Sequence, residues 1–577
     1  MDTYRSSDAN LTVLTRAAYA DAPAIVGVGP PRITADHVST VLAGGTRLLD
    51  DVSLEVRPNE VVAIIGPSGS GKTTLLDTLA GLRAPTSGSV RVDDADAELT
   101  VAYVPQDDIV HRDLTVEATV RYSARLRLPD GTPATEIEAV VTRTLATLGL
   151  AERSHLPVGS LSGGQRKRVS IASEIVTRPH VCFLDEPTAG LDVVAAAALM
   201  DVLRDLADHG TAVVMTTHNL GDLRVADRLV VLLAGGRVAF DGAPHEAPGH
   251  FDVDDVLDVC RLLAASGGAV RDELDGAGPT PVGRPGAGAR PAVGPGRRSP
   301  VRRASSPVTQ WRILARRNVD LMIRNRMSFA IMAGSPVLIV AMFAVLFEPG
   351  AFDLGSPNPM ASTAISYWMA FAAFFFGLTF GLLQICTELA IVRRERLATI
   401  DVGPYLLAKA AVLVPVLGGV NVVMVATLIA LRRLPALGAT DLALLLGILL
   451  LDALAGLALG LLASASVASS AQAALALPML CFPAVLFSGA IVPMRSMAPV
   501  GRAIGAVISD RWAFEAVART LHLDEVLAGS AAGRHVAAEH GRAFSGSSLT
   551  QALVMAVLTG VLLCSAHAVL ARRTRLS

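Results

Sequence analysis

The chain has few cysteines, no excess of charge of one sign and no targeting segment at its start. Its formal net charge at pH 7 is −2 over 577 residues. Because no basic excess is visible, the composition argues against a nucleic-acid partner. The five cysteines are scattered without pair spacing, which indicates neither a disulfide framework nor a zinc site. Residues 1–30 lack a basic start followed by an apolar core, so we expect the amino terminus to stay in the cytoplasm.

Apolar residues, by contrast, are abundant. They make up 51% of the chain, and the mean hydropathy of +0.48 is high for a soluble protein, so membrane segments are expected. The length suggests roughly three or four domains. Between about residues 33 and 258, strand-like apolar runs alternate with helix-like ones, which predicts an α/β domain.

A glycine-rich segment after an apolar run is the strongest local signal. Residues 66–74 follow a strand-like run and precede a helix-like pattern, the context of a Walker A phosphate-binding loop. Its backbone N–H groups would cradle a polyphosphate at the positive end of the helix. A glycine-rich turn that fits by chance is the alternative, which the flanking elements disfavour. The predicted nucleotide-binding residues of this loop are Gly66, Pro67, Ser68, Gly69, Ser70, Gly71, Lys72, Thr73 and Thr74.

Lysine is rare in this chain, and one of the few lies in that loop. The 50 Lys plus Arg include only Lys72, Lys167 and Lys409 as lysines. A compact ammonium suits a phosphate site better than a planar guanidinium does. We therefore predict that Lys72 reaches the β- and γ-phosphates of a nucleotide, and that the Thr73 hydroxyl holds Mg²⁺.

Four further motifs follow the loop in order. They are Gln106 after a short apolar run, Leu161–Gln165 opening a helix, Asp185-Glu186 ending a buried strand with Asp192 close behind, and His218 after another strand. Asp185 can hold Mg²⁺ directly or through water. Glu186 is placed to polarise an attacking water as the general base, the alternative being a carboxylate at a helix start.

These five motifs, over about 150 residues, resemble the nucleotide-binding domain of an ABC transporter across residues 33–258. The resemblance implies that Gln106 senses the metal and the γ-phosphate, and that His218 contacts the γ-phosphate. It also implies that the signature loop, Leu161–Gln165, binds ATP held by the Walker loop of an opposite subunit. A dimer would then have two composite sites, and because both loops are intact we expect a homodimer. The residues involved there are Ser162, Gly163, Gly164, Gln165 and Asp192. One departure is that the region of Val41 and Leu42 offers no aromatic residue to stack on adenine.

Composition changes abruptly after the ATPase domain. We predict an unassigned tail at 1–32, the nucleotide-binding domain at 33–262 and a flexible Gly/Pro/Arg-rich linker at 263–307. Ser305, after two arginines, could be a kinase site. The favoured interpretation is a basic cluster attracted to anionic lipid.

The remainder reads as a membrane domain. Residues 308–326 predict an amphipathic helix at the cytoplasmic interface, with Trp311 and Leu314 at helical spacing and Arg317 elsewhere around the turn. Residues 327–577 predict a six-span domain in the plasma membrane. The predicted spans are 328–347, 364–386, 408–431, 442–464, 472–493 and 550–570.

Basic residues set the expected orientation of these spans. Arginine-rich flanks before the first span, after the second and after the last put the ATPase domain and both termini in the cytoplasm. Arg432 and Arg433 would then be external, against the trend, and 494–549 would form a long external loop. Asp452 and Asn421 lie inside spans, so we predict that they belong to the transport pathway or bond to each other across helices.

The order of domains, ATPase first, resembles the half-transporters of the ABC G subfamily and their bacterial relatives. The Gln165–Ile171 run and Glu388 before Arg393 support that branch. The predicted fold is an α/β P-loop ATPase domain followed by an all-α membrane domain. The resemblance implies ATP- and Mg²⁺-dependent export of a hydrophobic, amphipathic or lipid-like compound. The alternative is a membrane-anchored ATPase that transmits force to a partner without moving cargo.

Overall fold

The computed structural model describes residues 32–42, 44–93, 100–265, 305–397, 400–541 and 543–574. The predicted tail at 1–32 and most of the linker at 263–307 lie outside these residues. The chain divides into two compact units. The first comprises the chain up to Thr309 together with Arg393–Ile400, and the second comprises Gln310–Val392 and Asp401–Arg575.

The first unit contains two β-sheets. A three-stranded antiparallel sheet has the order β2-β1-β4, and a six-stranded sheet has the order β5-β6-β7-β3-β8-β9, parallel except for β9. The strands are β1 (Arg32–Val41), β2 (Arg47–Val56), β3 (Val61–Ile65), β4 (Ser87–Asp93), β5 (Val101–Val104), β6 (Val181–Asp185), β7 (Ala212–Thr216), β8 (Arg228–Leu232) and β9 (Val238–Gly242).

Helices cover the six-stranded sheet. They are α1 (Lys72–Leu79), α2 (Val116–Arg127), α3 (Ala134–Thr147), α4 (Gly163–Ile175), α5 (Val193–Asp208), α6 (Ala247–His250) and α7 (Val256–Ala265). Successive residues of β3 point to opposite faces, Val61 into one apolar cluster and Val62 into the other. Strands buried on both faces read as continuous apolar runs, which is why β3, β6 and β7 could be recognised in the sequence.

The end of the predicted linker is ordered against the first unit. Ser305 is buried, and its hydroxyl donates to the Leu126 backbone oxygen at 3.3 Å. The Ser306 backbone N–H donates to Asp130 at 2.9 Å. A kinase site at Ser305 would need an accessible hydroxyl, and the Ser305 hydroxyl is buried here. The two arginines of the predicted basic cluster lie outside the described residues.

The second unit is helical. Its helices are α8 (Pro307–Arg324), α9 (Arg326–Leu346), α10 (Pro359–Leu382), α11 (Leu389–Leu397), α12 (Val402–Ala430), α13 (Ala439–Ser466), α14 (Ser470–Leu486), α15 (Pro499–Ala506), α16 (Ser509–Thr520), α17 (Leu523–Ala528), α18 (Ala531–His540) and α19 (Leu549–Arg573), although α8 begins and α11 ends in residues grouped with the first unit.

Helices α10 and α13 pack with their backbones nearly touching. A Cβ added at Gly377 would lie 1.9 Å from the Ala453 oxygen, and one at Gly456 would lie 2.2 Å from the Phe374 oxygen. Gly381 and Gly460, one turn further along each helix, are similarly crowded. Small residues four apart permit this close approach between apolar helices, where van der Waals packing must hold the pair together.

Four helices in the described part of the chain are long and apolar enough to cross a membrane: α10, α12, α13 and α19. They coincide with four of the six predicted spans. The described apolar stretch of α9, Gly334–Leu346, and helix α14 coincide with the other two but are shorter. Helix α14 ends at Leu486 instead of 493, and the predicted external loop contains the short helices α15 to α18. The count of six spans remains a prediction.

Helix α8 buries a set of side chains that differs from the set its amphipathic pattern predicts. Its buried side chains include Gln310, Leu314, Arg317 and Asn318, whereas Trp311 is exposed. Arg317 therefore lies on the buried face.

Arg433 is one of the two basic residues, with Arg432, that oppose the predicted orientation of the spans, and it has a local contact. Its guanidinium donates to the Ala344 oxygen at 3.0 Å, in the last turn of α9. A cation there favours the helix terminus.

Candidate functional site

The Walker loop joins β3 to α1 in a conformation that depends on its glycines. Gly66, Gly69 and Gly71 all have positive φ. A Cβ at Gly71 would lie 2.4 Å from the Leu48 oxygen, so a larger residue does not fit there. The Lys72 ammonium is buried and donates to the backbone oxygens of Gly66 and Pro67, at 2.9 Å each. Burial lowers the pKa of Lys72, and the carboxylates of Glu186 and Asp185 oppose this effect.

Asp185, at the end of β6, lies beside the Walker loop. Its carboxylate accepts from the Thr73 hydroxyl at 2.9 Å and from the Thr216 hydroxyl at 2.6 Å. A hydroxyl and a carboxylate side by side are the oxygen donors that Mg²⁺ prefers. Two of the three residues predicted at the metal, Thr73 and Asp185, therefore meet, across 112 positions of sequence.

Thr216 is a residue that the sequence reasoning did not assign. It ends β7, donates to Asp185 and accepts from the Glu186 backbone N–H at 3.0 Å. It thus fixes both acidic residues at the end of the neighbouring strand. Parallel strands bring their carboxyl ends to one edge, so a hydroxyl ending the strand next to β6 was a signal that could have identified it.

Glu186 lies between the two other predicted catalytic residues. Its Oε2 accepts from Gln106 Nε2 at 3.2 Å, and its Oε1 lies 2.9 Å from His218 Nε2. Glu186 has a left-handed backbone, with φ of 48°. Such strain in a non-glycine residue is common where function requires a particular side-chain direction. Gln106 contacts the carboxylate of Glu186, so its predicted role as a metal ligand remains a prediction.

The signature segment forms a separate feature of the same unit. Ser162 caps α4 in a reciprocal pair: the Gln165 N–H donates to its hydroxyl at 3.4 Å, and its own N–H donates to Gln165 Oε1 at 3.1 Å. Ser162 and Gly163 are exposed. Asp192 caps α5 through the Ala195 N–H at 2.9 Å. Among the residues that the structure describes, no hydrogen bond joins Ser162–Gln165 to the Walker loop, so one chain does not bring these two predicted ATP contacts together.

A buried charged cluster surrounds Glu174 near the end of α4. Arg127 donates to its Oε1 at 2.6 Å, the Arg394 guanidinium lies 3.2 Å from the same oxygen, and the Tyr103 backbone N–H donates to Oε2 at 3.3 Å. Arg394 comes from the segment Arg393–Ile400, which lies between two predicted spans yet belongs to the first unit. No motif in the sequence assigns a role to Glu174.

In the second unit, Asp452 and Asn421 are both buried in helices predicted to span the membrane. Neither side chain has a hydrogen-bond partner among the described residues, so the alternative in which they bond to each other is wrong for this structure. Asp510, at the start of α16, is also fully buried, and neither of its carboxylate oxygens has a partner there. Sequence reasoning missed Asp510 because it lies outside every predicted span.

Comparison with known proteins gives two domain matches. Residues 49–189 match the family model described as "ABC transporter", and residues 309–521 match the one described as "ABC-2 type transporter". The chain is 33% identical over 515 residues to the ABC transporter ATP-binding/permease protein Rv1747 of Mycobacterium tuberculosis, covering 85% of this chain and 58% of that protein.

Plant proteins match about a third of the chain. ABC transporter G family member 13 of Arabidopsis thaliana is 41% identical over 217 residues, covering 36% of this chain and 32% of the plant protein. ABC transporter G family member STR of Medicago truncatula is 39% identical over 213 residues, covering 34% and 26%. The chain thus spans between about a quarter and somewhat over half of the length of these relatives.

Proposed function

Because the chain belongs to the ABC transporters, with its ATPase domain ahead of an ABC-2 type membrane domain as in the G family, we propose that it is an ATP-driven half-transporter of the plasma membrane. It would export a hydrophobic, amphipathic or lipid-like compound. The observation that carries the proposal is Glu186, held between Gln106 and His218 and directly after the Asp185–Thr73 contact.

In this proposal the Walker loop binds the phosphates of ATP. Lys72 would exchange its two backbone carbonyl contacts for phosphate oxygens, to which its charge is better suited. Thr73 and Asp185 would hold Mg²⁺. Bound there, Mg²⁺ supplies charge neutralisation of the phosphates.

Glu186 would act as the general base. A water beside its carboxylate would give up its proton to Glu186 as the water oxygen attacks the γ-phosphorus, and the bond from that phosphorus to the bridging oxygen would break so that ADP leaves. Gln106 and His218 hold the two carboxylate oxygens from opposite sides, which fixes the direction in which Glu186 can accept a proton. His218 would also contact the γ-phosphate.

The exposed signature loop supports a dimer. Ser162 and the Gly163 and Gly164 amides lie at the start of α4, where a helix N-terminus favours an anion. Because the chain's own Walker loop shares no described hydrogen bond with them, a phosphate bound by a second copy would complete the site. Two copies would then form two composite sites, each with one Walker loop and one signature loop.

Coupling to the membrane domain would pass through Arg394 and Glu174. Glu174 also contacts the Tyr103 N–H, three residues before Gln106, so a shift of Arg394 would act on the segment that leads to the catalytic site. Within the second unit, the Asp401 N–H donates to Gln310 at 3.0 Å, linking the start of α12 to α8.

The test is flux and ATP hydrolysis in proteoliposomes of the full chain, wild type beside Glu186→Gln, with a panel of lipids and lipophilic drugs. We expect one compound class to stimulate hydrolysis and to move across the membrane, both only in the wild type. Glu138→Gln, on an exposed salt bridge with Arg121, is the matched control and should behave as wild type. Glu186-dependent hydrolysis that no compound alters or follows across the membrane would favour the force-transmitting ATPase instead.

A further inference from the structure

Lys167 lies on α4, the helix that begins at the signature loop and is called the signature helix below. Its ammonium contacts the backbone of the segment that carries Gln106. Its ammonium donates to the backbone oxygens of Pro105 at 2.9 Å and Gln106 at 2.8 Å. The side chain is 3% exposed, so these bonds are made away from water. A buried ammonium held by two adjacent carbonyls fixes the backbone that carries them, because moving either carbonyl would leave the charge uncompensated.

The segment held in this way ends in the Gln106 side chain, which donates to Glu186. Three steps therefore connect α4 to the general base: ammonium to backbone, backbone to side chain, and side chain to carboxylate. Glu174, seven residues after Lys167 on the same helix, holds the Tyr103 N–H at the other end of the segment. Two buried charges of opposite sign thus fasten residues 103–106 to α4.

The chemistry of the site explains why lysine is present in a chain that otherwise uses arginine. Two neighbouring carbonyl oxygens converge on one nitrogen, which suits a compact ammonium better than a planar fork. Burial lowers the pKa of Lys167, and the carboxylate of Asp108 is the largest opposing influence. Lys72 makes the same kind of contact with the carbonyls of Gly66 and Pro67, in the phosphate-binding loop itself.

We propose that Lys167 is a positioning residue for ATP hydrolysis, which fixes the Pro105–Gln106 backbone so that Gln106 stays against Glu186. The inference rests on the proposed role of Glu186 as general base. It assigns to Lys167 an effect on the rate of hydrolysis and none on ATP binding, since Lys167 has no hydrogen bond to the Walker loop among the described residues.

The experiment compares full-length, lipid-reconstituted Lys167→Met with Arg168→Met. Arg168 is the next residue on α4 and also donates to a backbone oxygen, that of Leu148 at 2.9 Å, so it controls for the loss of a helix-borne cation. We expect kcat of Lys167→Met to fall roughly tenfold to hundredfold, the range for a displaced catalytic group, with KM for ATP within about twofold. Arg168→Met should keep the wild-type kcat.

A double variant tests the route of the effect. If Lys167 acts by holding Gln106, then adding Lys167→Met to Gln106→Ala should lower kcat no further. Multiplying effects, or a kcat for Lys167→Met equal to that of Arg168→Met, would overturn the proposal. If Lys167→Met does not fold, Lys167→Gln, which keeps a donor, is measured by the same criteria. Hydrolysis that survives in Glu186→Gln would refute the proposed function itself, a distinct result from a silent Lys167.

Discussion

The buried carboxylates described above differ between the two units in their hydrogen bonding. In the first unit, Asp185 accepts from two hydroxyls and Glu174 is held by two arginines and a backbone N–H. In the second unit, Asp452 and Asp510 are fully buried and none of their carboxylate oxygens has a hydrogen-bond partner among the described residues. In the first unit Asp185 and Glu174 are hydrogen-bonded within one chain, whereas the second unit keeps carboxyls whose desolvation is uncompensated among the described residues.

The largest expected effect is on ATP hydrolysis when Asp185 is neutralised, because the change removes both the negative charge and the hydrogen bonds of the carboxylate. In Asp185→Asn an N–H would face one of the two hydroxyls that donate to the carboxylate, Thr73 or Thr216, and the metal site would lose its anion. We expect ATP hydrolysis to fall at least about hundredfold, or about 3 kcal/mol of transition-state stabilisation. Phosphate release by the reconstituted protein measures this. The exposed Asp208, changed to Asn, should have no effect, and equal rates in the two variants would contradict the expectation.

The next largest effect should be on stability, at Glu174. Glu174→Ala leaves Arg127 and Arg394 buried without their carboxylate, so we expect the first unit to lose about 3–5 kcal/mol of unfolding free energy. Glu138→Ala breaks the exposed pair with Arg121 and should cost less than about 1 kcal/mol. Pulse proteolysis in urea on the full-length protein gives both values. Similar losses would show that burial does not distinguish the two salt bridges.

Changing aspartate to asparagine should have a smaller effect on ATP hydrolysis where the carboxyl has no hydrogen-bond partner among the described residues. Asp452→Asn and Asp510→Asn each replace a buried, unpartnered carboxyl by a neutral amide, which is cheaper to bury. ATP hydrolysis should stay within about twofold of wild type and the thermal midpoint should not fall, because no partner is lost. Cargo flux should decrease if Asp452 belongs to the transport pathway. Unchanged flux in both variants would remove the pair from that pathway.

The smallest effect should be at the cap of the signature helix. Ser162→Ala removes the hydroxyl that accepts from the Gln165 N–H, worth about 1 kcal/mol at a helix start. Hydrogen exchange at the first amides of α4 should become about fivefold faster, as that energy implies. Ser162→Thr keeps the hydroxyl and serves as the control. Equal exchange in all three proteins would mean that the cap does not stabilise the loop.

The two units also differ in how much of their fold and of their candidate sites could be predicted from the sequence. Lys72, Asp185, Glu186 and His218 lie in motifs whose chemistry dictates residue type and spacing, so both the fold of the first unit and its site could be predicted. Glu174 could not, because its role depends on helix packing that brings distant positions together. The hydroxyl of Thr216 could be recognised only once β7 was known to be the neighbour of β6. In the second unit, apolar composition located helices but not their ends. Helix α14 stops at Leu486 although apolar sequence continues, and Asp510 is buried in a segment predicted to be an external loop.

The three lysines have a practical consequence for work with this protein. They are 8%, 3% and 4% exposed at positions 72, 167 and 409, and each ammonium is held by backbone oxygens or, for Lys409, by Glu388 at 2.8 Å. An amine-reactive label applied to the folded chain would therefore find every lysine ε-amine shielded. Labelling of a lysine would instead report that the region around it has opened. Mass spectrometry of three peptides could therefore follow the Walker loop through Lys72, the signature helix through Lys167 and helix α12 through Lys409, each separately.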